Sequence, residues 1–374
     1  MRCLLTGGGT GGHIYPAIAV AEALVKLLPR TKVLYVGTAQ GMESSLVPRE
    51  GLEFKAVRSS GIRGKSLASA LRGMWAAALG VGDACRIIKQ FKPDVVFGTG
   101  GYVSGPVLLA ARLLGVPCAI QEQNAVPGKT NLVLSRFADK TFTAWEESAE
   151  FFPRKADVKV TGNPIRARVL QATGTTAEAR AAFGLRDDKF TLLVLGGSRG
   201  ARFLVDLAVD MALSADLDIQ MLLITGKEYY DNAVAALGAT EHTGIAGAKY
   251  GNIIIQPYVY NMEQAYRACD LVLARAGGMT LAEITALGLP SIIVPSPNVV
   301  GNHQEYNARV LETAGAAIVV REGPDTRNQV EHGIRTILGD PALHKRMAQA
   351  ASEIGRPDAA FEIARELIAL ARRA

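Results

Sequence analysis

Between residues 4 and 24 the chain reads LLTGGGTGGHIYPAIAVAEAL, with Gly7, Gly8, Gly9, Gly11 and Gly12 around Thr10. Glycine is needed where the backbone takes positive φ or a ligand must come close. A helix beginning behind such a loop offers unpaired N–H groups to phosphates or hydroxyls. Gly7, Gly9 and Gly12 also meet the G-x-G-x-x-G spacing of dinucleotide sites, which requires an acid at the end of the second strand. There the chain has Gly37-Thr38, and the first acid, Glu43, comes later. The loop is therefore expected to hold sugar hydroxyls or phosphates, not NAD. His13 follows it in the first turn of the expected helix. A helix N-terminus favours the neutral imidazole, which can accept a proton near neutral pH. Glu122, in QEQNAVPGKTN (121–131), is a rival base. Arg166, in GNPIR, carries a fork suited to phosphate. Glu283, behind the Gly277-Gly278 turn, suits either a capping box or a ribose diol. Asp216-Leu217-Asp218 precedes a strand at its amino end and reads as a solvated turn, so no metal is expected. His242, His332 and His344 read as solvated.

These residues need a scaffold that brings strand ends together. Apolar runs (RCLLTG, KVLYVG, DVVFGTG, PCAIQEQ, FTLLVLGG, MLLITG, NIIIQPY, DLVLARAGG, PSIIVPSP) alternate with stretches of helical period. Such alternation predicts βαβ units and parallel sheets. The two halves echo one another. DVVFGTGGYVSGPVLLAARLLGVPCAI (94–120) parallels DLVLARAGGMTLAEITALGLPSIIV (270–294), and LLTGGGTGG parallels LLVLGGSRG. Glycine loops at 7–12, 98–101, 196–200 and 276–278 should lie at equivalent ends of two sheets. The expected architecture is α/β, with two Rossmann-like domains over 1–162 and 163–356 whose sheets face a deep interdomain cleft. A last helix (357–372) is expected to pack back on the first domain. With 374 residues and 20% charged, the chain fits two soluble domains. Cys3, Cys85, Cys118 and Cys269 lack metal or redox spacing and read as reduced, core-type residues of a cytoplasmic protein. No signal peptide or membrane-spanning run is expected.

The segments GGGTGGHIYPAIAVA, SSGIRGK, GTGGYVSGPV, QEQNAVPGKTN, GNPIR, GGSRGA, RAGGMTLAEI and HQEYNA run in order over nearly the whole chain. Together they resemble the MurG family of N-acetylglucosaminyltransferases of peptidoglycan synthesis. The resemblance implies a GT-B fold and an inverting transfer of GlcNAc from UDP-GlcNAc to the 4-hydroxyl of undecaprenyl-diphosphate-linked MurNAc-pentapeptide. It places Thr10, Gly11, Gly12 and Asn124 on the donor-sugar side, and Arg166 and Ser198 at the donor phosphates. It places a backbone group of Val259 at the uracil and Glu283 at the ribose, with Gly278, Met279, Thr280, Leu281 and Ala282 lining the same loop. Gln304 falls at the GlcNAc hydroxyls. Arg199 departs from the uncharged residue expected in the second glycine loop. No cofactor and no nucleic-acid partner is implied, and cell-wall synthesis and division proteins are possible partners. A UDP-GlcNAc epimerase or a lipid glucosyltransferase of the same fold remains an alternative.

The charge is uneven. The net charge is +6, yet residues 1–160 hold 20 Lys/Arg against 12 Asp/Glu. Residues 62–79, IRGKSLASALRGMWAAAL, place Leu67, Leu71 and Trp75 on one helical face flanked by Arg63, Lys65 and Arg72. A lipid-linked acceptor requires contact with the bilayer, and this segment is the expected contact with an anionic surface at the cytoplasmic face of the inner membrane.

Overall fold

The computed structural model describes residues 1–59, 67–171, 173–197, 200–214, 217–241 and 247–373. Two units divide the chain, Met1–Ala167 with Arg356–Ala374, and Arg168–Gly355.

The first unit is a sheet of β1 (Arg2–Thr6), β2 (Lys32–Gly37), β3 (Glu53–Ala56), β4 (Val95–Gly98), β5 (Cys118–Glu122), β6 (Lys140–Thr143) and β7 (Val158–Val160). Their order is β3-β2-β1-β4-β5-β6-β7, and every adjacent pair is parallel. Strands buried on both faces read as unbroken apolar runs. That is how β1 and β4 were visible, and Leu4, Leu5, Val95, Val96 and Phe97 are fully buried. The crossovers are α1 (Gly11–Leu27), α2 (Glu43–Arg49), α3 (Leu67–Phe91), α4 (Ser104–Leu113), α5 (Lys129–Leu134) and α6 (Glu146–Ala149). Because α1 starts at Gly11, Pro16 falls in its second turn, not the first.

The chain leaves this unit through α7 (Ala167–Leu170) and enters the second, where α8 (Thr176–Ala182) precedes another sheet. Its strands are β8 (Thr191–Leu195), β9 (Gln220–Ile224), β10 (Thr240–Glu241), β11 (Ala248–Tyr250), β12 (Ile253–Gln256), β13 (Leu271–Ala274), β14 (Ser291–Ile293) and β15 (Ala317–Val319). The order is β10-β11-β12-β9-β8-β13-β14-β15, parallel from β12 to β15, with β11 and β10 added antiparallel at one edge. The helices are α9 (Arg202–Ser214), α10 (Tyr230–Leu237), α11 (Met262–Ala268), α12 (Gly278–Ala286), α13 (His303–Thr313), α14 (Thr326–Gly339) and α15 (Pro341–Ile354).

In both sheets the order reverses beside the first strand, between β1 and β4 and between β8 and β13. Ligands of open α/β sheets bind outside the carboxyl ends of strands at such a switch point. All four glycine loops sit there, following β1, β4, β8 and β13. The structural boundary differs from the expected 162. Asn163 stays with the first unit, bound by Gln121 Nε2 at 2.6 Å and donating to the Gln123 carbonyl at 3.0 Å.

The last helix, α16 (Ala359–Ala371), belongs to the first unit. Its Ala360, Ile363, Ala364 and Leu367 join α1 residues Ile14, Ala17, Ile18 and Ala21 in one core, so α1 is covered on both sides. Lys140 and Lys159, on the outer strands, reach Glu366 at 2.6 and 2.8 Å. Both lysines hold the Glu366 carboxyl below its ordinary pKa. A carboxyl whose folded pKa is depressed stabilises the fold above its unfolded pKa, and the contribution disappears as pH falls through the folded one. Glu366→Gln should therefore lower stability by about 1 kcal/mol at neutral pH, the upper range for partly screened ion pairs. Denaturant titrations of both proteins should converge as the solution is acidified.

Candidate functional site

In the first unit the loops after β1 and β4 meet backbone to backbone. Gly101, at φ 80°, faces Gly8 so closely that a Cβ there would overlap the Gly8 carbonyl. Beneath the first loop lies Glu43, fully buried. Its Oε2 accepts from Gly9 N at 3.1 Å, and its Oε1 accepts from Thr38 N at 3.0 Å and Thr38 Oγ1 at 2.7 Å. A Cβ at Gly8 would stand 2.6 Å from Glu43 Oε1. The acid nearest the second strand is thus spent on holding the loop, which closes off the dinucleotide reading by geometry as well as by sequence.

His13 is half-buried at the start of α1. Its Nδ1 lies 2.9 Å from the Thr99 carbonyl and 3.0 Å from Gln123 Oε1. A carbonyl can only accept. Gln123 directs its amide nitrogen to the same Thr99 carbonyl at 2.6 Å, so its oxygen faces the imidazole as a second acceptor. Nδ1 therefore carries the proton, and Nε2 keeps the lone pair. Gln123 is itself locked by Gln121, to whose side-chain oxygen it donates. Gln121, Gln123, Asn131 and Asn163 are all buried and joined by hydrogen bonds. The imidazole thus rests on a polar network whose cost of disruption is high.

Glu122 is a correction to the rival-base reading. Its Oε1 accepts from Asn124 N and Asn124 Nδ2, both at 3.0 Å, and its Oε2 from Gly128 N at 3.0 Å and Asn131 Nδ2 at 2.8 Å. Only 2% exposed, this carboxylate is fully engaged in shaping the 123–131 loop. Arg166 is 5% exposed, with its guanidinium 4.1 Å above the Tyr15 ring, so α1 and the GNPIR turn set its position together.

The second unit repeats the plan. No side chain caps α12, whose N-cap is Gly277. The same holds for α1 behind Thr10. By contrast α8 has a Thr175–Glu178 capping box and α15 is capped by Asp340. A side-chain cap is the exception among the described helix starts, α2, α10 and α16 also lacking one. Glu283 lies in the second turn of α12, outside capping-box position, and accepts from Tyr266 Oη at 2.7 Å. Gln304, in the first turn of α13, accepts at Oε1 from Ser296 N at 2.8 Å, which turns its Nε2 into the donor end. Asn307 is buried and donates to the Ala276 carbonyl at 3.0 Å, tying α13 to the glycine turn. Arg275 braces that turn through the Val294 carbonyl and Glu322. Val259 follows β12 and is buried between Tyr258 and Tyr260, whose rings pack edge-on at 4.7 Å.

The glycosyltransferase family 28 N-terminal domain matches residues 3–143, and its C-terminal domain matches residues 191–363. A Desulforamulus reducens protein named UDP-N-acetylglucosamine–N-acetylmuramyl-(pentapeptide) pyrophosphoryl-undecaprenol N-acetylglucosamine transferase is 44% identical over 365 residues, covering 97% of both chains. A protein of the same name from Symbiobacterium thermophilum is 43% identical over 374 residues, covering 100% of this chain and 97% of its own. The chain belongs to the MurG family. Acinetobacter baumannii MurG superposes with a TM-score of 0.72 at 30% identity, covering 98% of this chain and 99% of that one. The UDP-GlcNAc 2-epimerase of Neisseria meningitidis reaches 0.67 at 16% identity, over 99% of this chain and 100% of its own, a likeness of fold alone.

Within the MurG framework, the structure gathers Thr10, Gly11, Gly12, His13 and Asn124 at the carboxyl edge of the first sheet. Val259, Gly278, Met279, Thr280, Leu281, Ala282, Glu283 and Gln304 gather at that of the second. Ser198 and Arg199 lie outside the described residues, as do Arg63 and Lys65; Leu67, Leu71 and Arg72 belong to α3, with their side chains undescribed. His344 corrects its solvated reading, since its Nε2 lies 2.8 Å from the Asp270 carbonyl and its ring packs on Phe190. Asp218 pairs with Lys189 ahead of β9, at the edge opposite the glycine loops. Burial pushes the Cys3 and Cys269 thiols far above their ordinary range and Cys118 up to about 11, so none of the three is a ready nucleophile. Sequence reasoning missed Glu43 as the loop's support, Gln123 as the partner of His13, and Tyr266. Only long-range contacts reveal them.

Glu122→Ala would remove the acceptor of one Asn131 amide hydrogen, of the Gly128 N–H and of Asn124. It should destabilise the protein by roughly 2–4 kcal/mol, read from denaturant midpoints, by the usual cost of unsatisfied buried donors. His13→Asn withdraws the donor from the Thr99 carbonyl and Gln123 Oε1 and should cost about 1–2 kcal/mol by the same measurement.

Proposed function

We propose that this enzyme transfers GlcNAc from UDP-GlcNAc to the 4-hydroxyl of undecaprenyl-diphosphate-linked MurNAc-pentapeptide, with inversion at the anomeric carbon. The near full-length match to transferases of that name carries the reading. In the reaction the acceptor O4 attacks C1 of the α-linked sugar, the bond from C1 to the diphosphate oxygen breaks, and UDP leaves. The proton on O4 passes to His13 Nε2. Thr99 and Gln123 hold Nδ1–H and so orient the ring and stabilise the imidazolium that forms. Glu283 takes the ribose hydroxyls and Val259 reads the uracil through its backbone. Gln304 donates to GlcNAc, while Thr10, Gly11, Gly12, Asn124, Arg166 and Ser198 complete the donor contacts. The leaving diphosphate is met by the amino-terminal end of α12, whose dipole stabilises developing negative charge without a metal ion.

UDP-GlcNAc incubated with the enzyme should release UDP only when the lipid-diphosphate muramyl acceptor is present. Release without acceptor would favour an epimerase, and no release in either case a binding module. His13→Asn should lower kcat by roughly 10²–10⁴-fold while donor affinity stays, the range for loss of a general base.

A peripheral seat on the cytoplasmic face of the inner membrane follows from the acceptor, beside the cell-wall synthesis and division proteins expected as partners. Among the described residues no helix is long and apolar enough to cross a membrane. Trp75 on α3 is 68% exposed, and α4, packed against α3, exposes Leu109, Arg112 and Leu113. Next along, α5 exposes Lys129 and Val133, with Arg136 just beyond it. Apolar tips among basic side chains suit an anionic lipid surface, each basic group adding about 1 kcal/mol. Replacing Arg63, Lys65 and Arg72 with Gln should weaken binding to anionic vesicles by on the order of 10²-fold, in a flotation assay at low salt. Equal binding by both proteins would return the segment to a purely structural role.

A further inference from the structure

We propose that Tyr266 is a positioning residue for nucleotide recognition, fixing the Glu283 carboxylate for the two ribose hydroxyls. The inference rests on the ribose-binding role read above for Glu283. Tyr266 is 2% exposed on α11, yet its hydroxyl does not end in an apolar pocket. It crosses to the neighbouring helix α12 and donates to Glu283 Oε2 at 2.7 Å. The bond fixes one carboxylate oxygen before a nucleotide arrives, and a side chain immobilised only on binding costs free energy. A phenol suits the task of removing that cost beforehand. It stays protonated near neutral pH, has only two side-chain torsions, and adds no positive charge to compete with the ribose for the carboxylate. Helix α11 also follows directly on the Tyr258-Val259-Tyr260 loop. One rigid element therefore carries both the backbone expected at the base and the group that aims the acid at the sugar. The remaining turns of α11 give it a firm seat, with Ala265 and Ala268 fully buried.

Calorimetric binding of UDP and of 2′,3′-dideoxy-UDP to wild type, Tyr266→Phe and Glu283→Ala tests this. Tyr266→Phe should weaken UDP about tenfold, equivalent to about 1.4 kcal/mol, and leave the dideoxy nucleotide within about twofold. In turnover, donor KM should rise by a similar factor with kcat within about twofold. Equal weakening of both nucleotides would make Tyr266 a purely structural residue and overturn the proposal, as would unchanged UDP binding. The Glu283→Ala arm tests the underlying reading separately. If that variant still prefers UDP over the dideoxy nucleotide as strongly as wild type, Glu283 is not the ribose ligand. If Glu283→Ala loses the preference and Tyr266→Phe keeps it, only the positioning role fails.

Discussion

Everything in the first unit's site depends on how closely two pieces of backbone can approach. The loops after β1 and β4 touch at Gly8 and Gly101, where neither tolerates a side chain. That contact carries His13 to the Thr99 carbonyl, and the carbonyl decides which imidazole nitrogen bears the proton. Glu43 below, and the amide network of Gln121, Gln123, Asn131 and Asn163 beside it, keep the loops from relaxing apart. The glycines are thus demanded twice, by the ligand side and by the packing side. A single added methyl group at either position would disturb both together.

The two units solve the same problem with different fasteners. In the first, a buried acid and a ladder of amides hold the switch-point loops. In the second, the work falls to Arg275, Asn307 and Tyr266, each reaching from a different element to the glycine turn or to the acid behind it. Internal repetition extends to strand order and to the glycine loops at the switch points, but not to side chains.

The central strands and the glycine loops were legible in the sequence because strands buried on both faces must be continuously apolar. The outer strands were not. β3 reads EFKA and β7 reads VKV, half-exposed at or near an edge, and β10 and β11 are too short for any period to register. Loop and helix-start patterns singled out His13 and Glu283 and the resemblance added the role expected of Gln304, whereas Glu43 was noticed only as an acid in the wrong place for NAD. Its real partners, Gly9 and Thr38, depend on how β1 and β2 lie side by side. Glu122 shows the opposite failure. A carboxylate at a strand end looked reactive until its four donors were in place, contributed by the turn that follows it and by Asn131 of α5.

The return of α16 to the first unit has a consequence for how the protein is made. The core that includes Ile14 and Ile18 is completed by Ala360, Ile363, Ala364 and Leu367 of α16. During synthesis the amino-terminal half emerges first, yet it must wait with one flank of α1 uncovered until the final helix leaves the ribosome. The second unit, contiguous from Arg168 to Gly355, has no such debt and can complete itself in the interval. The half of the enzyme that is translated earliest is therefore the half that finishes folding last.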